Sequence, residues 1–140
     1  MYNYNSGKQR IYKTEQGVET YYFFANYEEE VKDGETSKIS YYFANDMRVA
    51  KRTQAGEQES SLVYIHVDHL NSAVMVTDAE TNIVQVSFYT AYGEPGYTEG
   101  GQNMKYTFTG QEQEGNGLMY YVDRFYDPQL GRFLKPDTML

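Results

Sequence analysis

The sequence predicts an all-β chain built as a strip of antiparallel hairpins. Three observations carry that expectation. Tyr is abundant, with 16 Tyr and 7 Phe but no Trp in 140 residues, and Tyr suits a pleated surface that keeps one end wet. Short aromatic-centred runs alternate with turn clusters such as KDGETS, QAGEQES, DAETN and EGNG. The anchors Tyr21, Tyr41, Tyr64 and Phe88 lie 20, 23 and 24 residues apart, the footprint of a degenerate strand–turn–strand repeat.

The elements follow in order. Strands are expected at TYYFFA (20–25), SYYFA (40–44), LVYIHV (62–67), VQVSFYT (84–90), KYTFTG (105–110) and LMYYV (118–122). In the fourth run Val84, Val86 and Phe88 share one face, while Gln85 and Ser87 take the other. Val74 and Val76 repeat that alternation, and DAETN joins the two runs as a five-residue hairpin loop. FFANYEEEVKDG has a Glu-rich middle compatible with a short helix; the expectation is a strand running into a charged loop. Hairpin arrays of this size bury their faces poorly alone, so the chain reads as a piece of a larger structure.

Composition excludes several function classes. The chain carries 12 Lys+Arg against 20 Asp+Glu, a formal charge of -8. A nucleic-acid partner or an anionic membrane surface would call for the opposite sign. There is no cysteine, so neither disulfides nor thiolate metal sites enter. The opening MYNYNSGKQR is polar, with no apolar core of a signal peptide. No run approaches the ~20 apolar residues that span a bilayer.

Two constellations could carry chemistry. The only histidines stand in IHVDHL as His66 and His69 around Asp68, a set competent for zinc or iron if a turn gathers it. The plainer reading makes Asp68 and His69 turn-formers that bind backbone amides, and no metal is expected. The second constellation is acidic: Glu112, Glu114, Asp123, Asp127 and Asp137 fall in the last 29 residues. Two carboxylates held close can share a proton and divide acid and base roles; the plainer reading is solvated side chains. YDPQLG reads as a turn, with Asp127 at its start, Pro128 next and Gly131 ending it. Arg124 is placed to pair with carboxylates or lie on tyrosines. No phosphate loop, Ser/His/Asp motif or paired-His helix is present.

From Tyr64 onward the motifs form an ordered set. YIHVDHL is followed by VTD, AYGE, YTFTG, GLMYY and RFYDPQLGRFL. In this order and spacing, residues 64–140 resemble the RHS repeat-associated core domain of Rhs/YD-repeat proteins, and residues 1–63 resemble degenerate YD-type repeats. The resemblance implies a strip that forms part of a spiralling β-shell, with a C-terminal core segment curling inward. It implies enclosure of a variable C-terminal segment, usually a toxin, within a bacterial protein that is secreted or displayed on the cell surface. The implied partners are the chain's own C-terminal extension, the remaining shell, and a secretion or toxin-complex partner; no cofactor is implied.

The resemblance also implies an aspartic-type self-protease. Its two carboxylates fall on Glu114 and Asp137, and its cleavage position near Leu140. Three departures accompany it: Glu114 stands where toxin members carry Asp, Thr107 where they carry a basic residue, and DTML ends the motif without the usual Pro and Gly. Asn71 and Thr81 replace turn glycines, and Thr is strained in a left-handed conformation. A non-catalytic encapsulating or adhesion module remains the alternative, with a metal hydrolase on His66, Asp68 and His69 as the third.

Overall fold

In a computed structural model, residues 1–102 and 104–137 are described. Ten strands form one antiparallel meander: β1 Tyr2–Tyr4, β2 Arg10–Glu15, β3 Val18–Phe24, β4 Tyr27–Lys32, β5 Glu35–Ala44, β6 Met47–Ala55, β7 Ser61–Val67, β8 Ala73–Asp78, β9 Ile83–Tyr89 and β10 Pro95–Gly100. Each pairs only with its sequence neighbours. A 3-10 turn at Phe108–Gly110 leads into a second antiparallel sheet of β11 Glu112–Gln113, β12 Met119–Tyr121, β13 Arg124–Asp127 and β14 Arg132–Phe133. The expected all-β hairpin strip is therefore what the chain forms.

Two local expectations fail. Residues 105–110 are not a strand: Tyr106 makes a single bridge to Glu112, and the 3-10 turn follows. Thr109 sits there at φ 52, which a strand excludes. The Glu-rich segment is neither helix nor loop but β4, whose Glu28 and Glu30 face Tyr22 and Thr20 on β3. Ion pairs and hydrogen bonds from distant residues, described below, outweigh glutamate's low strand preference.

One five-residue turn recurs. At 5–9, 68–72, 78–82 and 90–94 the first residue accepts an amide bond from the fourth and donates its own to the fifth. The fourth residue is left-handed each time: Lys8 at φ 60, Asn71 at 66, Thr81 at 71 and Gly93 at 93. Asn5, Asp68 and Asp78 each cap the turn by accepting two amides on one side-chain oxygen. Thr81 is the β-branched member, and that conformation costs such a residue ~1–2 kcal/mol. Thr81→Asn is expected to raise stability by ~0.5–1 kcal/mol, seen as a higher urea midpoint with an unchanged slope.

The predicted alternation on β9 holds, but its buried side is the polar one. Gln85 and Ser87 are buried, while Phe88 is 61% exposed. Gln85 is occupied there, donating to Ser87 and accepting the Gln102 amide. Ile39, Tyr41, Val63, Ile65 and Val76 continue this inner face, and Phe108 and Met119 are buried with them. The anchors Tyr21, Tyr41, Tyr64 and Phe88 fall on β3, β5, β7 and β9, so they mark every second strand. Tyr41 points inward; the other three are exposed. On the outer face Tyr21 donates to Glu19 and Tyr27 to Glu29, each two residues along its strand, because side chains at i and i+2 share a face. That pattern accounts for a surface rich in both Tyr and Glu.

Candidate functional site

The site is a buried charge network between β2 and the C-terminal sheet. Its geometry begins with a bulge. Asn3 pairs Tyr12 and Tyr4 pairs Arg10, leaving Ile11 without a partner. The extra residue resets the alternation, so Arg10 and Lys13 both turn inward and are buried. Ile11, the bulged residue, is exposed instead.

Both cations meet the same two carboxylates from about a hundred residues away. Arg10 Nη1 lies 3.2 Å from Glu112 Oε2 and also contacts Glu114 Oε1. Lys13 Nζ donates to Glu112 Oε1 and Glu114 Oε2, each at 3.0 Å. Tyr22 adds a 2.6 Å bond to Glu112. Glu112 lies on β11, and Glu114 opens the turn at 114–118, whose Gly117 takes φ 86. Arg10 is flanked by the rings of Tyr2 and Tyr120, 4.6 and 3.8 Å from their centroids.

A second hub adjoins it. Glu28 accepts from Tyr41, Tyr106 and Lys105 at 3.1, 3.2 and 2.7 Å. Lys105 also pairs with Glu30 at 2.7 Å. A cleft of about 570 Å³ opens along this side, lined in part by Lys13, Glu30, Lys105 and Glu114.

The electrostatics of the cations and phenols point one way. Burial works against the charge of Arg10 and Lys13, but Glu112 and Glu114 outweigh it and raise both pKa values. Lys105 is raised likewise, burial being overcome by Glu28 and Glu30. Burial, reinforced by Glu112, holds Tyr22 far above the ordinary phenol range; burial and Glu28 do the same for Tyr41 and Tyr106. Tyr89 is pushed up to about 12 by burial. Each of these groups binds its proton more tightly when folded. Their contribution is complete below about pH 10, where unfolded tyrosine and lysine begin to titrate, and is lost as pH rises toward the folded values. The expected result is cooperative alkaline unfolding: in a spectrophotometric titration, Tyr22, Tyr41 and Tyr106 form tyrosinate only as the sheet melts.

The residues singled out from the sequence have separate surroundings. Glu114 is inside the network with its side chain fully buried. Asp137 is largely exposed and pairs with Arg124 at 3.6 Å. Leu140 lies outside the described residues. Asp68 accepts the amides of Leu70 and Ser72 at 2.9 Å, and His66 Nε2 lies 3.1 Å from Thr77 Oγ1. His69 is exposed. Asp127 accepts the amides of Gln129 and Leu130, ahead of Gly131 at φ 64, with Pro128 buried between. Arg124 lies 3.9 Å above the Phe133 ring. Lys105, close in sequence to Thr107, pairs with Glu28 and Glu30.

Sequence reasoning missed Arg10, Lys13, Tyr22 and Glu28. No local signal brings Arg10 and Lys13 together, because alternation alone would place them on opposite faces of the strand. Chemically the network is a clamp. Each carboxylate of Glu112 and Glu114 is engaged by cations, and the two cations come from one strand.

No protein-family profile matches the chain. Among curated proteins, the tRNA3(Ser)-specific nuclease WapA of Bacillus spizizenii is 28% identical over 148 residues, covering 97% of this chain and 6% of that protein. The tRNA nuclease WapA of Bacillus subtilis strain 168 is 29% identical with the same coverage. Double-stranded DNA deaminase toxin A of Burkholderia cenocepacia is 29% identical over 91 residues, covering 61% of this chain and 6% of that protein. The crystal structure of TcdB2-TccC3 without its hypervariable C-terminal region superimposes with a TM-score of 0.84 at 18% identity, covering 98% of this chain and 8% of that one. A Tc holotoxin pore of Photorhabdus luminescens carrying a TccC3 mutation gives 0.82 at 18%, covering 98% of this chain and 8% of that one. The chain thus spans 6% to 8% of the length of these proteins, and the structural likeness is one of fold.

Proposed function

We propose, from the premise that this chain is an Rhs/YD-repeat β-strip, that it serves as wall and closing core of a shell that encloses a C-terminal polypeptide. One observation carries the reading: Arg10 and Lys13 grip Glu112 and Glu114 and hold the C-terminal sheet against the inner face of the first hairpin. A core held that way closes the strip on one side and fixes where any following chain departs. Residues 1–63 act in this reading as wall and 64–140 as the associated core. The assembled shell works outside the bacterial cytoplasm, secreted or at the cell surface, with a toxin segment as cargo. Limited proteolysis tests it. The full-length protein is expected to shield the segment beyond Leu140, and Glu112→Gln to expose it. Equal digestion of that segment in both proteins overturns the reading.

The second reading is self-cleavage near Leu140 by Glu114 and Asp137. Glu114 favours it, a fully buried carboxylate in a cleft-lining position. Against it stands the division of partners, since Glu114 binds Arg10 and Lys13 whereas Asp137 binds Arg124. A chain extended past Leu140 is cut under this reading, and Asp137→Asn leaves it whole. An extended chain that stays whole at every pH leaves the encapsulating role alone standing.

A further inference from the structure

We propose that a second cavity, at the junction of the first hairpin and the C-terminal core, binds a compact aromatic carboxylate, with Arg48 as its anchoring cation. The cavity measures about 310 Å³, and its walls include Arg10, Tyr22, Phe23, Arg48, Tyr106 and Tyr120.

Arg48 is unlike the other cations packed around it. Arg10, Lys13 and Lys105 each contact at least two carboxylates. Arg48 makes no ion pair among the described residues; its Nη1 donates to the Gly110 carbonyl at 3.2 Å. Its Nε is buried without a hydrogen-bond partner among them. Aromatic rings surround the guanidinium, with Tyr106 at 3.5 Å and Tyr41 and Phe43 at 4.8 and 4.9 Å. Burial accordingly lowers the Arg48 pKa despite the attraction of Tyr106, Tyr41 and Glu28. The carboxylate on the cavity wall, Glu112, is committed to Arg10, Lys13 and Tyr22.

Arg48 is half-buried, and a cation held partly out of water without a paired carboxylate gains from a bound anion. The guanidinium fork matches a planar carboxylate. Ring-lined walls favour a flat apolar body, and the volume is at the small end of ligand cavities. A single negative charge fits better than a phosphate dianion, because Glu112 shares the wall. The same chemistry is offered by a free aromatic acid and by the C-terminal Phe or Tyr of a polypeptide.

Calorimetry and thermal shift with benzoate test the inference, using benzamide as the neutral isostere. Benzoate is expected to bind one per chain and to raise the unfolding midpoint, while benzamide does neither. Arg48→Gln is expected to weaken benzoate roughly 10- to 100-fold. Arg48→Met keeps a stem over Tyr106 and is expected to fold without responding to benzoate. Should either variant fail to fold, Arg48→Lys retains the charge without the fork and weakens benzoate. The tripeptide Gly-Gly-Phe with a free carboxylate, set against its amide, identifies the source: tighter binding than benzoate points to a polypeptide end, weaker to a free acid. Equal response to benzoate and benzamide, no response to either, or unchanged affinity in the folded Arg48 variants overturns the proposal.

Discussion

Glu112→Gln is expected to destabilise the protein by ~3–5 kcal/mol, the cost of leaving buried charges without their partner. Three groups converge on this carboxylate: Arg10, Lys13 and Tyr22. Gln preserves the shape and one acceptor but removes the charge that offsets two desolvated cations. Glu114 remains to share them, so the loss reports the second counter-ion specifically. The measurement is chemical denaturation at neutral pH, with the wild type as reference. A double variant separates clamp from packing. Arg10→Met with Glu112→Leu removes a cation together with a carboxylate, and is expected to lose less than Glu112→Gln alone. A loss below ~1 kcal/mol for Glu112→Gln would place these ion pairs among weak surface pairs and remove the clamp as the device that seats the core.

Gly93→Ala is expected to cost more than ~3 kcal/mol, in the range of an overpacked core combined with backbone strain. Gly93 closes the turn between β9 and β10 at φ 93. A Cβ there would stand 2.3 Å from Cδ1 of Phe108, with Cε1 and Cγ at 2.5 and 2.6 Å. Phe108 is itself buried and packs on Tyr89, centroid to centroid 5.9 Å, so moving its ring aside disturbs that packing. Gly34→Ala is the control. Gly34 has φ 82 but nothing within 4 Å of a built Cβ, and it is expected to cost only the left-handed penalty of ~1–2 kcal/mol. If the two variants unfold at the same denaturant concentration, the close approach of the strip to the 3-10 turn has no energetic weight.

These two positions also mark how far the sequence could be read. The strip itself was legible: aromatic anchors on alternate strands, turn clusters between them and period-two alternation on β9 are local features, and local steric and pairing rules decide them. Two of the repeated turns, at 68–72 and 78–82, were legible in part: DHLNS and DAETN read as turn clusters, while the special backbone at Asn71 and Thr81 was expected from the family resemblance. Asp68 and Asp78 cap them through bonds within five residues, and Asn71 and Thr81 are left-handed there. The acidic cluster, too, was visible in composition, with Glu112 and Glu114 in it.

The inward face was not legible. Alternation says that Gln85 and Phe88 face opposite ways, but not which of them is buried; the polar one is. Nor does β2 announce that Arg10 and Lys13 share a face, since the Ile11 bulge that aligns them is a property of pairing with β1. By itself the sequence determined the all-β strip, several of its strands and turns, and the excess of carboxylates. Tertiary structure alone decided which carboxylates are neutralised: Glu112 and Glu114 meet cations 99 to 104 residues away, while Asp137 takes Arg124 at the surface. The physical reason is that hairpin pairing is written within a few residues, whereas charge compensation depends on where a whole sheet folds back.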